Sequence, residues 1–205
     1  YKDNFGNTPV MSAVKDAELE LLNRQKTKGY VGLLGSLEFV DQMINLTLGK
    51  AIPKGRVIGV QAPGGTGALH QLFLLIRAAK PNTTVWLSDP TWPNHPAILG
   101  HLGIKFSKYR YFDESTCEVD FGSMMDDLSK TRSGDIVLLH GCCHNPTGAN
   151  LELFQWKEIA DLCVEKNLTP LIDIAYQGFG DGLEIDVMGL QSMASNVPNM
   201  MIGTS

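Results

Sequence analysis

Short apolar runs alternate with helix-like segments along most of the chain, and this alternation restricts the fold more than any other feature. The runs typical of buried strands lie at residues 84–87, 104–109, 135–140, 169–174 and 200–203. Helical spacing predicts helices between them, at residues 121–130 and 151–166 and in a short segment that ends near residue 102. This order predicts an α/β fold with a mostly parallel sheet and helices on both faces.

The first third of the chain contains further helices separated by glycine-rich turns. Residues 12–25 predict an amphipathic helix, and Ser36 is a suitable N-cap for a second helix through Leu48. Residues 57–62 predict a short strand. After the break at Pro63-Gly64-Gly65-Thr66-Gly67, an almost wholly apolar segment at residues 68–79 predicts a buried helix.

Charge and composition exclude several classes of protein. The chain of 205 residues carries 17 basic and 22 acidic side chains, a net charge of -5, which disfavours nucleic-acid and anionic-membrane partners. It has no apolar run of about 18 residues, the length of a membrane span. Two of its four cysteines are adjacent, unlike a secreted disulfide framework. We therefore expect a cytoplasmic protein, with an organelle left open because a targeting segment would precede Tyr1.

Unusual residues cluster where the predicted strands end. Four loops, at residues 64–67, 89–95, 140–148 and 173–177, follow these ends and are expected to meet at one edge of the sheet, where α/β folds bind ligands. The glycine-rich loop with the Thr66 hydroxyl is suited to cradle a phosphate at a helix N-terminus. A tight turn without ligand is an equal alternative. A dinucleotide fingerprint fits poorly, because His70 occupies its third glycine position.

Three other features have a structural and a functional interpretation. Asp173 ends an apolar strand, where a carboxylate is costly unless it pairs with a cation or a strong donor, although it could merely cap a helix. Trp92 could pack in the core or offer a flat platform to a ring. Cys142 and Cys143 are adjacent, so both cannot easily face one tetrahedral metal, and we predict buried cysteines and no metal site.

A set of motifs in order along the chain carries a family resemblance. They are Tyr1-Lys2-Asp3, Lys28-Gly29-Tyr30, residues 63–69, Trp92-Pro93-Asn94-His95, residues 140–148 and residues 173–179. Together they resemble fold-type-I pyridoxal-phosphate (PLP) aminotransferases, most closely the aspartate and aromatic amino-acid group. The resemblance covers essentially the whole chain and implies the large PLP-binding domain of that fold, here incomplete.

The resemblance implies a role for each motif residue around PLP. Gly65, Thr66 and Ser205 would bind the phosphate. Trp92 would stack on the pyridine ring, and Asp173 would pair with the ring nitrogen.

The remaining implied roles concern the ring oxygen, the substrate and the subunit interface. Asn145 and Tyr176 would hydrogen-bond the ring oxygen, and Asn145 and Trp92 would reach the substrate carboxylate. His95 and His140 would orient Asp173 from behind. Tyr30 would reach the phosphate of the neighbouring subunit, which implies a homodimer with shared active sites.

The resemblance also places a Schiff-base lysine shortly after Ser205, so the chain is expected to be a partial PLP-binding large domain over residues 1–205, inactive alone. The complete protein is expected to transfer the amino group of L-aspartate to 2-oxoglutarate by a ping-pong mechanism. An aromatic amino-acid aminotransferase is the alternative within the family. A nucleotide-binding α/β module and a relative without catalytic activity are the alternatives of other classes.

Overall fold

The computed structural model describes residues 2–3, 5–49 and 52–205, so Tyr1, where the first motif begins, lies outside the described residues. Contacts divide the chain into two units, residues 1–32 and 33–205. The first unit contains helix α1 (Ser12–Arg24), which buries none of its residues. Ahead of this helix, the Asp3 carboxylate accepts the backbone N–H groups of Phe5 and Asn7. The predicted helix over residues 12–25 is thus confirmed to within one residue.

The second unit contains six helices and seven strands in its described residues. The helices are α2 (Leu37–Leu48), α3 (Gly64–Ala79), α4 (Asn94–His101), α5 (Phe121–Leu128), α6 (Leu153–Glu165) and α7 (Met188–Asn196). The strands are β1 (Thr84–Asp89), β2 (Lys105–Arg110), β3 (Phe112–Asp113), β4 (Glu118–Val119), β5 (Ile136–His140), β6 (Thr169–Ile174) and β7 (Met201–Thr204). Two 3₁₀ turns lie at Lys54–Arg56 and Ile185–Val187. No helix among the described residues combines the length and apolar character needed to cross a membrane.

Five strands form one sheet in the order β2-β1-β5-β6-β7, and every neighbouring pair is parallel. Strands β3 and β4 form a separate antiparallel pair. In the sheet register, His140 of β5 lies opposite Asp173 of β6, and Asp173 lies opposite Gly203 of β7. Parallel pairing therefore brings the carboxyl ends of these three strands, and the loops that follow them, to one edge.

The core has two layers, one on each face of the sheet. Along β5, Ile136 and Leu138 pack into one apolar cluster, whereas Val137 and Leu139 pack into the other, because successive strand side chains point to opposite faces. Helices α3 and α4 cover the first cluster, and α5, α6 and α7 cover the second. The predicted α/β fold, a parallel sheet with helices on both faces, is confirmed.

The segment at residues 57–62 differs from the prediction, because it forms no strand. Gln61 N–H donates to the Leu34 carbonyl, but the segment pairs with no strand of the sheet, and Ile58 and Val60 are exposed. Its β-type composition therefore lacks the partner that strand structure requires. Helix α3 also begins earlier than predicted, at Gly64, so the glycines form its first turn and no longer connect a strand to it.

Candidate active site at the carboxyl edge of the sheet

A cavity of about 210 Å³ opens at the carboxyl edge of the sheet. Strands β5, β6 and β7 and the N-terminus of α3 supply its walls, together with the loop that follows β1. The lining residues are Gly65, Thr66, Trp92, His140, Cys142, Cys143, Asn145, Asp173, Ala175, Tyr176 and Ser205. The loops predicted to meet at one edge therefore do meet there.

Helix α3 and the residue that follows β7 approach closely on one side of the cavity. A Cβ atom placed on Gly65 would lie 2.9 Å from the Ser205 hydroxyl oxygen and 3.1 Å from its Cβ. Glycine thus allows the first turn of α3 to lie close to the Ser205 side chain. The first N–H groups of a helix lack partners within it and carry the positive end of its dipole, so this side of the cavity is suited to an anion.

A carboxylate occupies the floor of the cavity and is held from behind by a buried histidine. Asp173 Oδ2 lies 2.8 Å from Nε2 of His95, whose side chain is fully buried. The Asp173 side chain keeps 12% of its surface exposed, at the cavity. Trp92 lies edge-on to His95 with their ring centroids 5.3 Å apart. His95 thus orients the Asp173 carboxylate, and a ligand in the cavity can reach its exposed part.

The hydrogen bonds continue from His95 through Thr91 to His140. The Thr91 hydroxyl lies 2.8 Å from His95 Nδ1 and 3.3 Å from His140 Nε2. The backbone N–H of Asn145 donates to His140 Nδ1 at 3.4 Å, which makes Nδ1 the acceptor and leaves the proton on Nε2. His140 then donates to Thr91, Thr91 donates to His95, and His95 donates to Asp173. Every donated proton in this series of hydrogen bonds is therefore directed toward the Asp173 carboxylate.

A second buried histidine lies behind His140. The His144 ring centroid is 4.1 Å from that of His140, and its nitrogens lie 3.0 Å from the Ser88 hydroxyl and 2.8 Å from the Thr147 hydroxyl. The Tyr111 ring stacks on it at 4.0 Å. Burial, followed by the neighbouring histidines, lowers the pKa of His140 to about 2 and that of His144 to about 4. Both rings are therefore neutral at physiological pH.

Two thiols and a carboxylate form a further group beside the cavity. The Cys142 and Cys143 sulfurs and an Asp186 carboxylate oxygen all lie within 4.8 Å of one another. Burial, then the charges of Cys143 and Asp186, raises the pKa of Cys142 to about 12, and burial also raises the pKa of Cys143. Burial opposes ionisation of Asp186, but backbone N–H groups outweigh it and lower the pKa of this carboxyl. The four cysteines form no disulfide.

The structure brings together nearly all of the residues singled out in the sequence. Seven of the eight residues predicted to bind a cofactor line the cavity, and the eighth, Tyr30, is an exposed residue of the first unit. Of the two histidines predicted to lie behind Asp173, His95 contacts it directly, whereas His140 acts through Thr91 and also reaches the cavity.

Sequence reasoning missed three contributors to this site. Thr91 links the two histidines, His144 supports His140, and Asp186 approaches the adjacent cysteines. The position of Thr91, one helical turn before His95, was an available signal. Asp186 gave no such signal, because it is remote from Cys142 and Cys143 in the sequence and only the fold brings it to the two thiols.

The family profile described as "Aminotransferase class I and II" matches residues 1–205. The chain belongs to this family. The structure also argues against a dinucleotide-binding fingerprint at Gly65. That fingerprint requires a strand–turn–helix unit, and no strand among the described residues precedes Gly64. The cofactor of these aminotransferases is PLP, in agreement with the motifs.

Relatives within the class I and II aminotransferases include enzymes with two substrate names. An aromatic-amino-acid aminotransferase of Paracoccus denitrificans is 50% identical over 205 residues, and an aspartate aminotransferase of Haemophilus influenzae is 42% identical over 208 residues. The alignments cover 100% of the chain and 52% of each relative. The chain thus spans about half the length of these curated relatives.

Solved aminotransferase structures match the fold over the whole chain. An aromatic amino acid aminotransferase with 3-indolepropionic acid superposes with a TM-score of 0.95 at 50% identity, covering 100% of this chain and 53% of that structure. An aromatic-amino-acid aminotransferase of Burkholderia pseudomallei, covalently bound to pyridoxal phosphate, superposes with a TM-score of 0.95 at 36% identity, covering 100% of this chain and 52% of that structure.

Proposed function

We propose that this chain supplies the PLP-binding part of an aminotransferase that moves an amino group between an amino acid and a 2-oxo acid. The observation that carries the proposal is the position of Asp173, held by the buried His95 on the floor of a cavity whose rim is a helix N-terminus. This arrangement places in one cavity a carboxylate that can pair with a protonated ring nitrogen and a site that can bind an anion. PLP carries both chemical groups.

The donors and shape of the cavity fit this cofactor. The N-terminus of α3 at Gly65 suits the phosphate, with Thr66 and Ser205 as additional hydroxyl donors on the same wall of the cavity. A side chain at position 65 would collide with Ser205. Across the cavity, Trp92 offers an aromatic ring on which a pyridine ring can stack.

Asp173, Asn145 and Tyr176 are proposed to set the charge distribution of the bound ring. PLP, when bound, supplies an electron sink for the carbanion formed when the substrate loses its Cα proton. Asp173 would accept a hydrogen bond from the ring nitrogen, and the hydrogen bonds that run from His140 through Thr91 and His95 would orient it for this contact. Asn145 and Tyr176 line the cavity as donors to the ring oxygen. Asn145 and Trp92 are also proposed to contact the substrate carboxylate.

The complete protein is proposed to be a homodimer, in which Tyr30 contacts the phosphate of the neighbouring subunit. Residues 1–205 are proposed to be part of its large PLP-binding domain, with the Schiff-base lysine in the remainder of that domain. We also propose a cytoplasmic location. The first two proposals follow from the family resemblance, and the third follows from the cysteines, which do not have the spacing of a secreted disulfide framework.

Two amino donors are candidates for the complete protein. L-Aspartate with 2-oxoglutarate is the pair that the motifs suggested, and it is supported by the relative from H. influenzae, whose name is aspartate aminotransferase. An aromatic amino acid is favoured by the higher identity, 50%, to the aromatic-amino-acid aminotransferase of P. denitrificans.

The first test is an absorption spectrum of the complete, PLP-loaded protein before and after addition of a single amino acid without any oxo acid. Conversion of the aldehyde-form band to the amine-form band with L-aspartate is expected for an aspartate aminotransferase. Conversion with L-tyrosine or L-phenylalanine alone would assign the aromatic donor. Free PLP with the same amino acids is the control, because its uncatalysed conversion must be far slower.

Two results would contradict the proposal. A protein that shows no PLP band after incubation with the cofactor would remove the assignment of the cavity. A band that no amino acid converts would retain the cofactor but exclude aminotransferase activity, and would favour a relative without catalytic activity.

A further inference from the structure

The adjacent cysteines and Asp186 form a cluster that the proposed cofactor chemistry does not use. Their two sulfurs and one carboxylate oxygen lie within 4.8 Å of one another. Cys142 is buried at 8% exposure, Cys143 is half-buried, and Asp186 is buried at 8% exposure. These three atoms are spaced closely enough for one ion to contact all of them after small side-chain rotations.

The backbone makes it possible for adjacent cysteines to turn their side chains to the same side. Cys143 has a φ of 45°, in the left-handed region that non-glycine residues rarely adopt. The sequence predicts no metal here, because adjacent cysteines cannot easily both face one tetrahedral ion. The left-handed conformation of Cys143, three residues after the end of β5, removes that objection.

Asp186 is fixed in place by backbone donors. Its Oδ2 accepts the N–H groups of Gly178 and Gly180 at 2.7 and 3.0 Å, and its Oδ1 accepts the N–H of Asp181 at 2.7 Å. These bonds orient the carboxylate, one oxygen of which lies within 4.8 Å of both sulfurs. Held by such bonds, a ligand loses little freedom when it binds an ion.

Access to the cluster is through the cavity, because Cys142 and Cys143 both line it, whereas Asp186 does not. An ion held by these three ligands would have its open coordination position on the cavity side. Two sulfurs and one oxygen, with a fourth position for water, match the ligand types and number of open zinc sites. Thiolate ligands select Zn²⁺ and other thiophilic cations over Mg²⁺ and Ca²⁺, which prefer oxygen.

We propose that Cys142, Cys143 and Asp186 form a binding site for a thiophilic divalent cation, Zn²⁺ or Cd²⁺, on the wall of the cavity. When the cation binds, each sulfur forms a bond to the metal and releases its proton to solvent, and no electron transfer takes place. The site is independent of the proposed function, since it requires only the three side chains named here.

The test is titration of the complete, PLP-free protein with CdCl₂, followed by the ultraviolet sulfur-to-cadmium charge-transfer absorption. We expect Cys142→Ser and Cys143→Ser to lose one equivalent of cadmium per chain, or to bind it at least about tenfold more weakly. Cys163→Ser, which removes another buried thiol, and Cys117→Ser, which removes an exposed one, should bind as the wild type does. Zn²⁺ should displace the cadmium.

Asp186→Asn tests the third ligand, with circular dichroism to confirm the fold because Asp186 also holds its loop. If that variant unfolds, Cys143→Ser decides, because the loop is held by the Asp186 carboxylate and not by this half-buried thiol. Unchanged cadmium stoichiometry and affinity in both Cys142→Ser and Cys143→Ser would overturn the proposal. So would loss of the bound equivalent in Cys117→Ser. PLP binding is followed separately by its visible absorption, so failure of either assignment is recognised without the other.

Discussion

At the scale of single residues, the environment of Asp173 differs from that of the other aspartate that ends a strand at this edge. Asp173 is 12% exposed and bonded to the buried His95, whereas Asp89 is 52% exposed and paired with Lys108. A surface pair of that kind contributes about 0–1 kcal/mol. The contrast predicts that only Asp173 supports the chemistry of the cavity.

For Asp173→Asn in the complete protein, we expect turnover to fall at least about a hundredfold while PLP stays bound, because the phosphate contacts are unaffected. Asp89→Asn is the matched control and should retain wild-type turnover. Steady-state rates together with the visible spectrum provide the measurement. Near-normal turnover of Asp173→Asn would remove this residue from its proposed role.

At the scale of elements, the contact between α6 and α7 depends on a glycine. A Cβ atom on Gly189 of α7 would lie 2.3 Å from Nε1 of Trp156, which is buried in α6. The helices can approach this closely only where one of them has no side chain. A four-residue connection joins α7 to β7, so this contact also helps to position Ser205 at the cavity.

We expect Gly189→Ala to lower the free energy of unfolding by about 1–3 kcal/mol through overpacking against Trp156. The control is Gly122→Ala in α5, where an added Cβ meets no atom within 4 Å. That variant should be neutral or more stable by about 0.5–1 kcal/mol, as expected for alanine in a helix. Urea denaturation of both variants measures the difference, and equal stabilities would show that the helices can separate without cost.

At the scale of the whole molecule, buried neutral histidines make stability depend on pH. The pKa of His144 is lowered from 6.5 to about 4 and that of His140 to about 2, mainly by burial. Below pH 6.5 the unfolded chain therefore binds protons that the folded chain does not. Folding stability is complete above this pH and is lost as the pH falls toward the folded pKa values.

Between pH 6.5 and 4, we expect each of these histidines to lower the free energy of unfolding by up to about 1.4 kcal/mol per pH unit. His144→Gln should show a shallower slope than the wild type, whatever its stability at neutral pH. His101→Gln, which alters an exposed histidine, should keep the wild-type slope. Urea denaturation across this pH range is the measurement, and equal slopes for all three proteins would contradict the burial of a neutral His144.

Local patterns in the sequence were sufficient to predict the fold class and most of the cavity. Strand and helix periodicities depend on neighbouring residues, so the five sheet strands and helix α6 were predicted to within a few residues. In a parallel sheet the carboxyl ends share one edge, so the positions of Trp92 and Asn145 after predicted strands, and of Asp173 near the end of one, were enough to expect them together. The resemblance to aminotransferases then assigned them roles.

Long-range pairing was decided only by the tertiary structure. Residues 57–62 have strand composition but no partner strand, and composition alone cannot supply one. Thr91 joins His95 to His140 because two strand ends are adjacent in the sheet. Asp186 reaches Cys142 and Cys143 through the fold of a distant loop. The sequence thus determined which residues stand at strand ends, whereas packing determined which of their atoms lie within bonding distance, because those distances depend on contacts between segments remote in the chain.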